Sequence, residues 1–267
     1  MSIADYGCYL LAAGEGTRLK PLTDSWPKCL MPINGNPLIE YWISACAKLF
    51  QKPIFVNTKY LADLVEAHLG PREKEGLVKI IREEILLGTA GSLRDVTKLS
   101  GARGFFVAHA DNYSNIDLEQ FFDFHLQSKK MGIPISMAVF EPADPTQCGV
   151  VVLNDDKVVV EFHEKVASPP SSLANAALYF FEPEVFEWLK SNPQANDISL
   201  DLIPNFLGHI RCFEHFGVHR DIGTFDELML AQTESVKMPK WPRSEWGNPS
   251  GLIDIVEKIN AGVTNGE

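Results

Sequence analysis

"LAAGEGTRLKPLTDSWPKCLMPI", residues 11–33, follows a short apolar run and carries two glycines, one arginine, two lysines and three prolines. Three kinds of loop could follow a strand in this way. A dinucleotide fingerprint G-x-G-x-x-G requires a third glycine, but position 19 is leucine, and Pro21 and Pro27 interrupt any helix that should follow. A Walker A loop requires G-x-x-x-x-G-K-[ST], which Gly14 and Gly16 do not supply. The third is a longer loop whose glycine amides approach a polyphosphate while Arg and Lys close over it. A plain surface loop built from turn residues is the bland alternative.

The surrounding chain reads as alternating strands and helices. Strands are expected at 7–13, 53–57, 78–84 and 104–111, with helices at 36–50, 60–70 and 117–128. Asn36 is expected to cap the first helix with Pro37 at its first position, and Gly70 to close the second. The order βαβαβαβα predicts a mostly parallel sheet covered on both faces. The second half is richer in strands, at 134–141, 149–155, 157–165, 174–182 and 210–216, with a tight turn at Asn154–Lys157. Helices are expected at 183–190 and 199–207, and from about 225. We read residues 1–236 as one α/β domain and 237–267 as an extension ending in a short helix at 252–261. That extension contains Pro239, Pro242, Pro249, Trp241 and Trp246, and a homo-oligomer is left open by it.

Composition narrows the function. A net charge of -11 disfavours nucleic acid and anionic membranes, so an anionic substrate must be held by local cations, amides and a metal. Arg18, Lys20 and Lys28 stand out against that background. The five cysteines are scattered without a CxxC pair, which argues against a zinc site or disulfide frame and for a reducing, cytoplasmic compartment. No apolar run approaches a membrane span, and the first residues lack a signal-peptide pattern.

Taken whole, residues 11–41 resemble the signature of the sugar-1-phosphate nucleotidyltransferases: G-x-G-T-R-[LM]-x-P-L-T, then P-K-x-[LM]-x-P, then G-x-P-[LM]-I. Further segments agree in order: "EILLGTAGSL" (84–93), "FFVAHADNYSNIDL" (105–118), "TQCGVVVLND" (146–155), "FHEKVASPPSSLANAALYFF" (162–181) and "HRDIGTFDELMLAQ" (219–232). The departures are Cys148 for tyrosine, Val166 for proline, Ala177 for glycine and His219 for tryptophan. They fall on the expected sugar side and leave the sugar open.

The resemblance implies a GT-A-like nucleotide-diphospho-sugar transferase fold, that is, a Rossmann-like, mostly parallel mixed sheet flanked by helices. It also implies an NDP-sugar pyrophosphorylase that joins a nucleoside triphosphate to a sugar-1-phosphate and releases pyrophosphate. Arg18, Lys28 and Asp111 are the implied catalytic residues. Leu11, Ala13, Gly14, Gly16, Thr17 and Arg18 would hold the triphosphate, with Glu84 and Gly88 against the base. Lys28, Gly149, Glu164, Lys165 and Asn175 would hold the sugar phosphate, Glu164 and Lys165 pointing to opposite faces of a strand. Asp111 and Asp221 would bind Mg2+, and His109 is expected to pack rather than ligate. The LGTAG form of residues 87–91 leans toward GTP with mannose- or heptose-1-phosphate. A thymidylyl- or cytidylyltransferase acting on another phosphate, and a non-catalytic nucleotide-sugar-binding regulator, stay open. No hexapeptide-repeat acyltransferase activity is expected.

Overall fold

The computed structural model describes residues 2–51 and 53–234; the expected extension and its helix at 252–261 lie outside the described residues. In chain order the strands are β1 (Gly7–Leu11), β2 (Pro32–Ile33), β3 (Asn36–Pro37), β4 (Ile54–Thr58), β5 (Val78–Arg82), β6 (Phe105–His109) and β7 (Asn112–Ser114). They continue with β8 (Ile135–Phe140), β9 (Gly149–Leu153), β10 (Val159–Glu164), β11 (Ala174–Phe181), β12 (Ile210–Glu214) and β13 (His219–Asp221). The helices are α1 (Leu38–Ala47), α2 (Ala62–Lys74), α3 (Gly88–Gly91), α4 (Thr97–Ser100), α5 (Leu118–Lys130), α6 (Pro183–Ser191) and α7 (Phe225–Thr233).

Nine strands form the central sheet. Its first half is parallel, in the order β5-β4-β1-β6, as the βα alternation predicts. β11 then runs antiparallel to β6 and is followed by β8, which carries β12 in parallel, while β9 and β10 pair on from the start of β11. Both faces are buried, so the strands read as continuous apolar runs. On one face Leu10, Val56, Phe106 and Phe180 pack against Ile39, Trp42, Val65, Leu69 and Phe121. On the other, Tyr9, Phe55, Val107 and Tyr179 meet Ala90, Leu93, Phe186, Leu189 and Leu202. A third, smaller cluster joins Leu19, Leu22, Met31, Leu38 and Tyr41 to Tyr113, Ile222 and Leu228. It holds the glycine-bearing loop against the C-terminal part of the described chain, and each fully buried leucine there stabilises the fold by about 1.5–3 kcal/mol.

The helix expected at 199–207 is instead a π-helical turn (Ile198–Leu202) followed by a 3-10 turn (Ile203–Phe206), and two further helix boundaries differ notably from the sequence reading. Asn34 and Gly35 both have positive φ, 49° and 77°, and form a two-residue hairpin that pairs β2 with β3. Asn36 and Pro37 therefore belong to β3, and α1 starts at Leu38 with Pro37 as its N-cap. α2 also passes through Gly70 and Pro71 to Lys74. Buried contacts carry it on: Glu40 accepts from Arg72 Nη2 at 2.9 Å and lies 2.7 Å from His68 Nε2.

At the edge where β1 begins and β11 ends, Glu182 accepts hydrogen bonds from Tyr6 and Lys129. His125 Nε2 lies 3.0 Å from the same carboxylate, and its Nδ1 lies 2.9 Å from Ser136 Oγ. Ser136, His125 and Glu182 thus line up as hydroxyl, imidazole and carboxylate. Ser136 and His125 are fully buried, so no substrate reaches them and the group is structural. No helix among the described residues is long and apolar enough to cross a membrane, and all five cysteines are unpaired.

Candidate active site

β1 ends at Leu11, and the chain leaves the C-terminal edge of the parallel strands without regular structure over 12–16. Leu11 and Ala13 are buried at its base, and Ala12 N donates to Asn57 Oδ1 at 2.7 Å. Beyond that anchor, the amides of Gly14, Glu15 and Gly16 have no hydrogen-bond partner among the described residues. Gly16 has φ +62°, and its carbonyl accepts from Thr23 Oγ1 at 2.9 Å. Gly14, Thr17 and Arg18 are exposed. Successive amides turned outward from a glycine loop form an anion-binding concavity.

Next to this loop lie the cations and carboxylates. β6 ends at His109, and the chain turns through Asp111 into β7. β7 pairs with β13 so that Asp221 faces Asn112, and Ile222 N donates to the Asp111 carbonyl at 3.2 Å. This ladder brings the two aspartates together, and Lys28 enters between them. Its Nζ donates to Asp111 Oδ2 at 2.6 Å and Asp221 Oδ1 at 2.7 Å, with the lysine side chain only 8% exposed. Arg18 Nη2 donates to Asp221 Oδ2 at 2.7 Å from a side chain that is 58% exposed. Gly223 makes room for that guanidinium, since a Cβ there would stand 2.7 Å from Arg18 Nη2.

The charges stabilise one another. Burial opposes an ionised Asp221, but Lys28 and then Arg18 outweigh it and hold the carboxyl down at about 2. Burial likewise opposes a charged Lys28, yet Asp111 and Asp221 raise its pKa above the ordinary lysine value. Because one ammonium touches both carboxylates, one cation of another kind could too. Two aspartates sharing one cation suit Mg2+, which is held by one or two carboxylates plus substrate phosphates. No group of three or more His, Cys, Asp and Glu residues suited to a metal occurs among the described residues.

On the expected sugar side, Cys148 is half-buried. Burial pushes its thiol up to about 11, with the charges of Asp221 and Glu164 adding to the effect. Gly149 lies against Glu164, where a Cβ would sit 2.5 Å from Oε2. Glu164 and Lys165 do not point to opposite faces: strand geometry stops at Glu164, and Lys165, at φ +50°, turns its Nζ to 3.3 Å from Glu164 Oε1. Asn175 is occupied internally, donating to the Tyr179 hydroxyl at 2.7 Å and accepting from Ala177 N at 2.9 Å. It braces an irregularity in β11 where Ala177 has φ +53°, a conformation that glycine adopts more readily.

The loop at 87–91 forms α3, and its glycine is dictated by a neighbour. Gly88 has φ +77°, and a Cβ there would lie 2.3 Å from the Asn196 carbonyl oxygen. That same oxygen accepts from Ala90 N at 2.9 Å, so part of this loop's donor capacity is spent inside the protein. Glu84 is exposed. Buried beneath it is Glu83, which the sequence reading passed over: its carboxylate accepts from Asn57 Nδ2 at 2.9 Å, Ser92 Oγ at 2.5 Å and Leu87 N at 3.1 Å. Asn57 therefore ties the glycine-bearing loop and the α3 loop to one carboxylate. The available signal was an asparagine ending the apolar strand "PIFVN". His109 Nε2 is buried without a hydrogen-bond partner among the described residues, and burial holds nearby His219 down at about 3.

A family model described as "Nucleotidyl transferase" matches residues 9–237. A protein of Sulfolobus acidocaldarius provisionally named mannose-1-phosphate guanyltransferase is 30% identical over 237 residues, covering 86% of this chain and 64% of the relative. Mannose-1-phosphate guanylyltransferase of Mycobacterium tuberculosis is 29% identical over 235 residues, covering 85% of this chain and 64% of the relative. The chain therefore spans just under two thirds of the length of either relative. A crystal structure from Bacillus anthracis, provisionally named glucose-1-phosphate thymidylyltransferase and bound to sucrose, shares the α/β fold at TM-score 0.76 and 22% identity. That match covers 88% of this chain and 97% of the other.

Proposed function

The chain belongs to the nucleotidyl transferase family, and on that premise we propose that it transfers a nucleoside monophosphate from a nucleoside triphosphate to a sugar-1-phosphate. We propose GTP and mannose- or heptose-1-phosphate as the pair, a reading supported by the relatives named for mannose-1-phosphate. The observation that carries the reading is the convergence of the free Gly14–Gly16 amides, Arg18 and Lys28 with Asp111 and Asp221.

In this reaction an oxygen of the sugar phosphate bonds to the α-phosphorus. The bond from that phosphorus to the bridging oxygen breaks, and pyrophosphate leaves with the electron pair. No protein nucleophile is required, so positioning and electrostatic preorganisation carry the rate. The Gly14–Gly16 amides receive the triphosphate, and Arg18 grips its oxygens with a planar fork. Lys28 places a point charge where the two phosphates meet. Glu164 and Lys165, over Gly149, receive the sugar phosphate, while Asn175 holds the shape of that wall. Asp111 and Asp221 would hold Mg2+, which when bound neutralises charge on the reacting phosphates.

The test is pyrophosphate release in Mg2+, crossing GTP, ATP, UTP, CTP and dTTP with a panel of sugar-1-phosphates. Turnover is expected with GTP and a mannose- or heptose-type phosphate. Release with no pair would overturn the proposal, and release with another pair alone would overturn the choice of base or sugar.

A further inference from the structure

The carboxylates of Asp111 and Asp221 already have a cation. Lys28 Nζ takes one oxygen of each, at 2.6 and 2.7 Å, and Arg18 takes the second oxygen of Asp221 at 2.7 Å. Only Asp111 Oδ1 has no hydrogen bond among the described residues. Two positive and two negative side chains therefore balance within one cluster. From this we propose that Lys28 is a resident counter-ion that excludes free divalent metal, so that the metal enters only together with a triphosphate. This inference rests on the triphosphate reading given above and adds an order of assembly to it.

The physical argument concerns where the ammonium can go. A bare divalent ion reaching for both carboxylates would have to expel a cation buried to 8% exposure, and exchanging that single charge for a double one leaves the balanced cluster net positive beside Arg18. A triphosphate changes both conditions. Its oxygens supply the ligands that two aspartates lack, and they also give the displaced ammonium a new acceptor. The loop is placed for this exchange: a side-chain carbon at Gly16 would lie only 3.1 Å from Lys28 Cβ, so the lysine stem runs beside the loop with the free amides. Rotation of that stem, without movement of the backbone, takes Nζ from the carboxylates toward an anion on the loop.

Mn2+ titration of the nucleotide-free protein, followed by electron paramagnetic resonance, tests this without any turnover. Wild type is expected to bind Mn2+ more weakly than about 1 mM. Lys28→Met should tighten binding about tenfold or more, and adding Asp111→Asn to that variant should remove the gain. Tight Mn2+ binding by the free wild type, or no gain in a folded Lys28→Met, would overturn the inference. Should Lys28→Met fail to fold, wild-type crystals soaked in MnCl2 alone and in MnCl2 with a non-hydrolysable GTP analogue replace it. Anomalous density between the aspartates is expected only with the analogue, and its presence with MnCl2 alone would refute the exclusion. Failure of the proposed activity would instead appear as absence of pyrophosphate release for every substrate pair, which these titrations do not measure.

Discussion

Replacing Glu182 by glutamine removes one negative charge from a place where three donors converge. Burial alone would raise this carboxyl, but His125, Lys129 and Tyr6 outweigh it and lower it from 4.5 to about 2. A difference of about 2.5 pH units corresponds to roughly 3 kcal/mol of folding free energy. The carboxyl is depressed in the folded chain, so this stability is complete above pH 4.5 and is lost as pH falls toward 2. His125 has the same sign: burial lowers its pKa, so acid favours the unfolded chain, where the imidazole protonates more readily. Glutamine keeps one acceptor but presents an amide to donors, and breaking a buried ion pair on one side costs about 3–5 kcal/mol. We expect Glu182→Gln to lose about 3 kcal/mol at pH 7, or about 6–12 °C in Tm for a chain of this size. Urea and thermal melts from pH 7 to pH 3 measure it, and the gap to wild type should narrow below pH 4.5. Pyrophosphate release per folded molecule at 25 °C should not change, because the group lies at the far edge of the sheet from Lys28. A loss under about 1 kcal/mol, or a gap that does not narrow in acid, would refute the reasoning.

Asp111→Asn should abolish pyrophosphate release while circular dichroism stays native, with a smaller stability loss than Glu182→Gln because Lys28 keeps Asp221. Arg18→Ala should lower kcat about 100-fold, as loss of a charge-stabilising donor does, yet shift stability by less than about 1 kcal/mol because its ion pair is largely exposed. Gly88→Ala should destabilise by at least about 1–2 kcal/mol from its left-handed backbone, with more from the clash at Asn196, and raise KM for the triphosphate. Asn57→Ala should lose about 1–3 kcal/mol in chemical melts and also raise that KM, since Ala12 N and Glu83 both lose a partner.

The parallel half of the sheet was legible because strands buried on both faces leave unbroken apolar runs, as in "GCYLLAA" and "GFFVAHAD". The resemblance singles out Arg18, Lys28, Asp111 and Asp221, and the structure brings these four side chains into contact. What escaped depends on tertiary geometry. Nothing local marks β7 and β13, three residues each, as partners, yet their ladder brings Asp221 to Asp111. The turn of Lys165 toward Glu164 depends on a positive φ where the alternation of the strand ends. α2 continues past Pro71 because buried Glu40 holds Arg72 from another helix. The hairpin at Asn34–Gly35 had a plain dipeptide signal that the stronger helix pattern beside it masked.

The β7–β13 ladder also has a consequence for synthesis on the ribosome. Most strands of the parallel half emerge early, together with the glycine-bearing loop and Lys28, while the second carboxylate is among the last described parts to appear. A nascent chain stopped before residue 219 would keep the lysine and Asp111 but lack the partner strand and Asp221. Truncation products should therefore be unable to assemble the complete cluster, however well their early strands collapse.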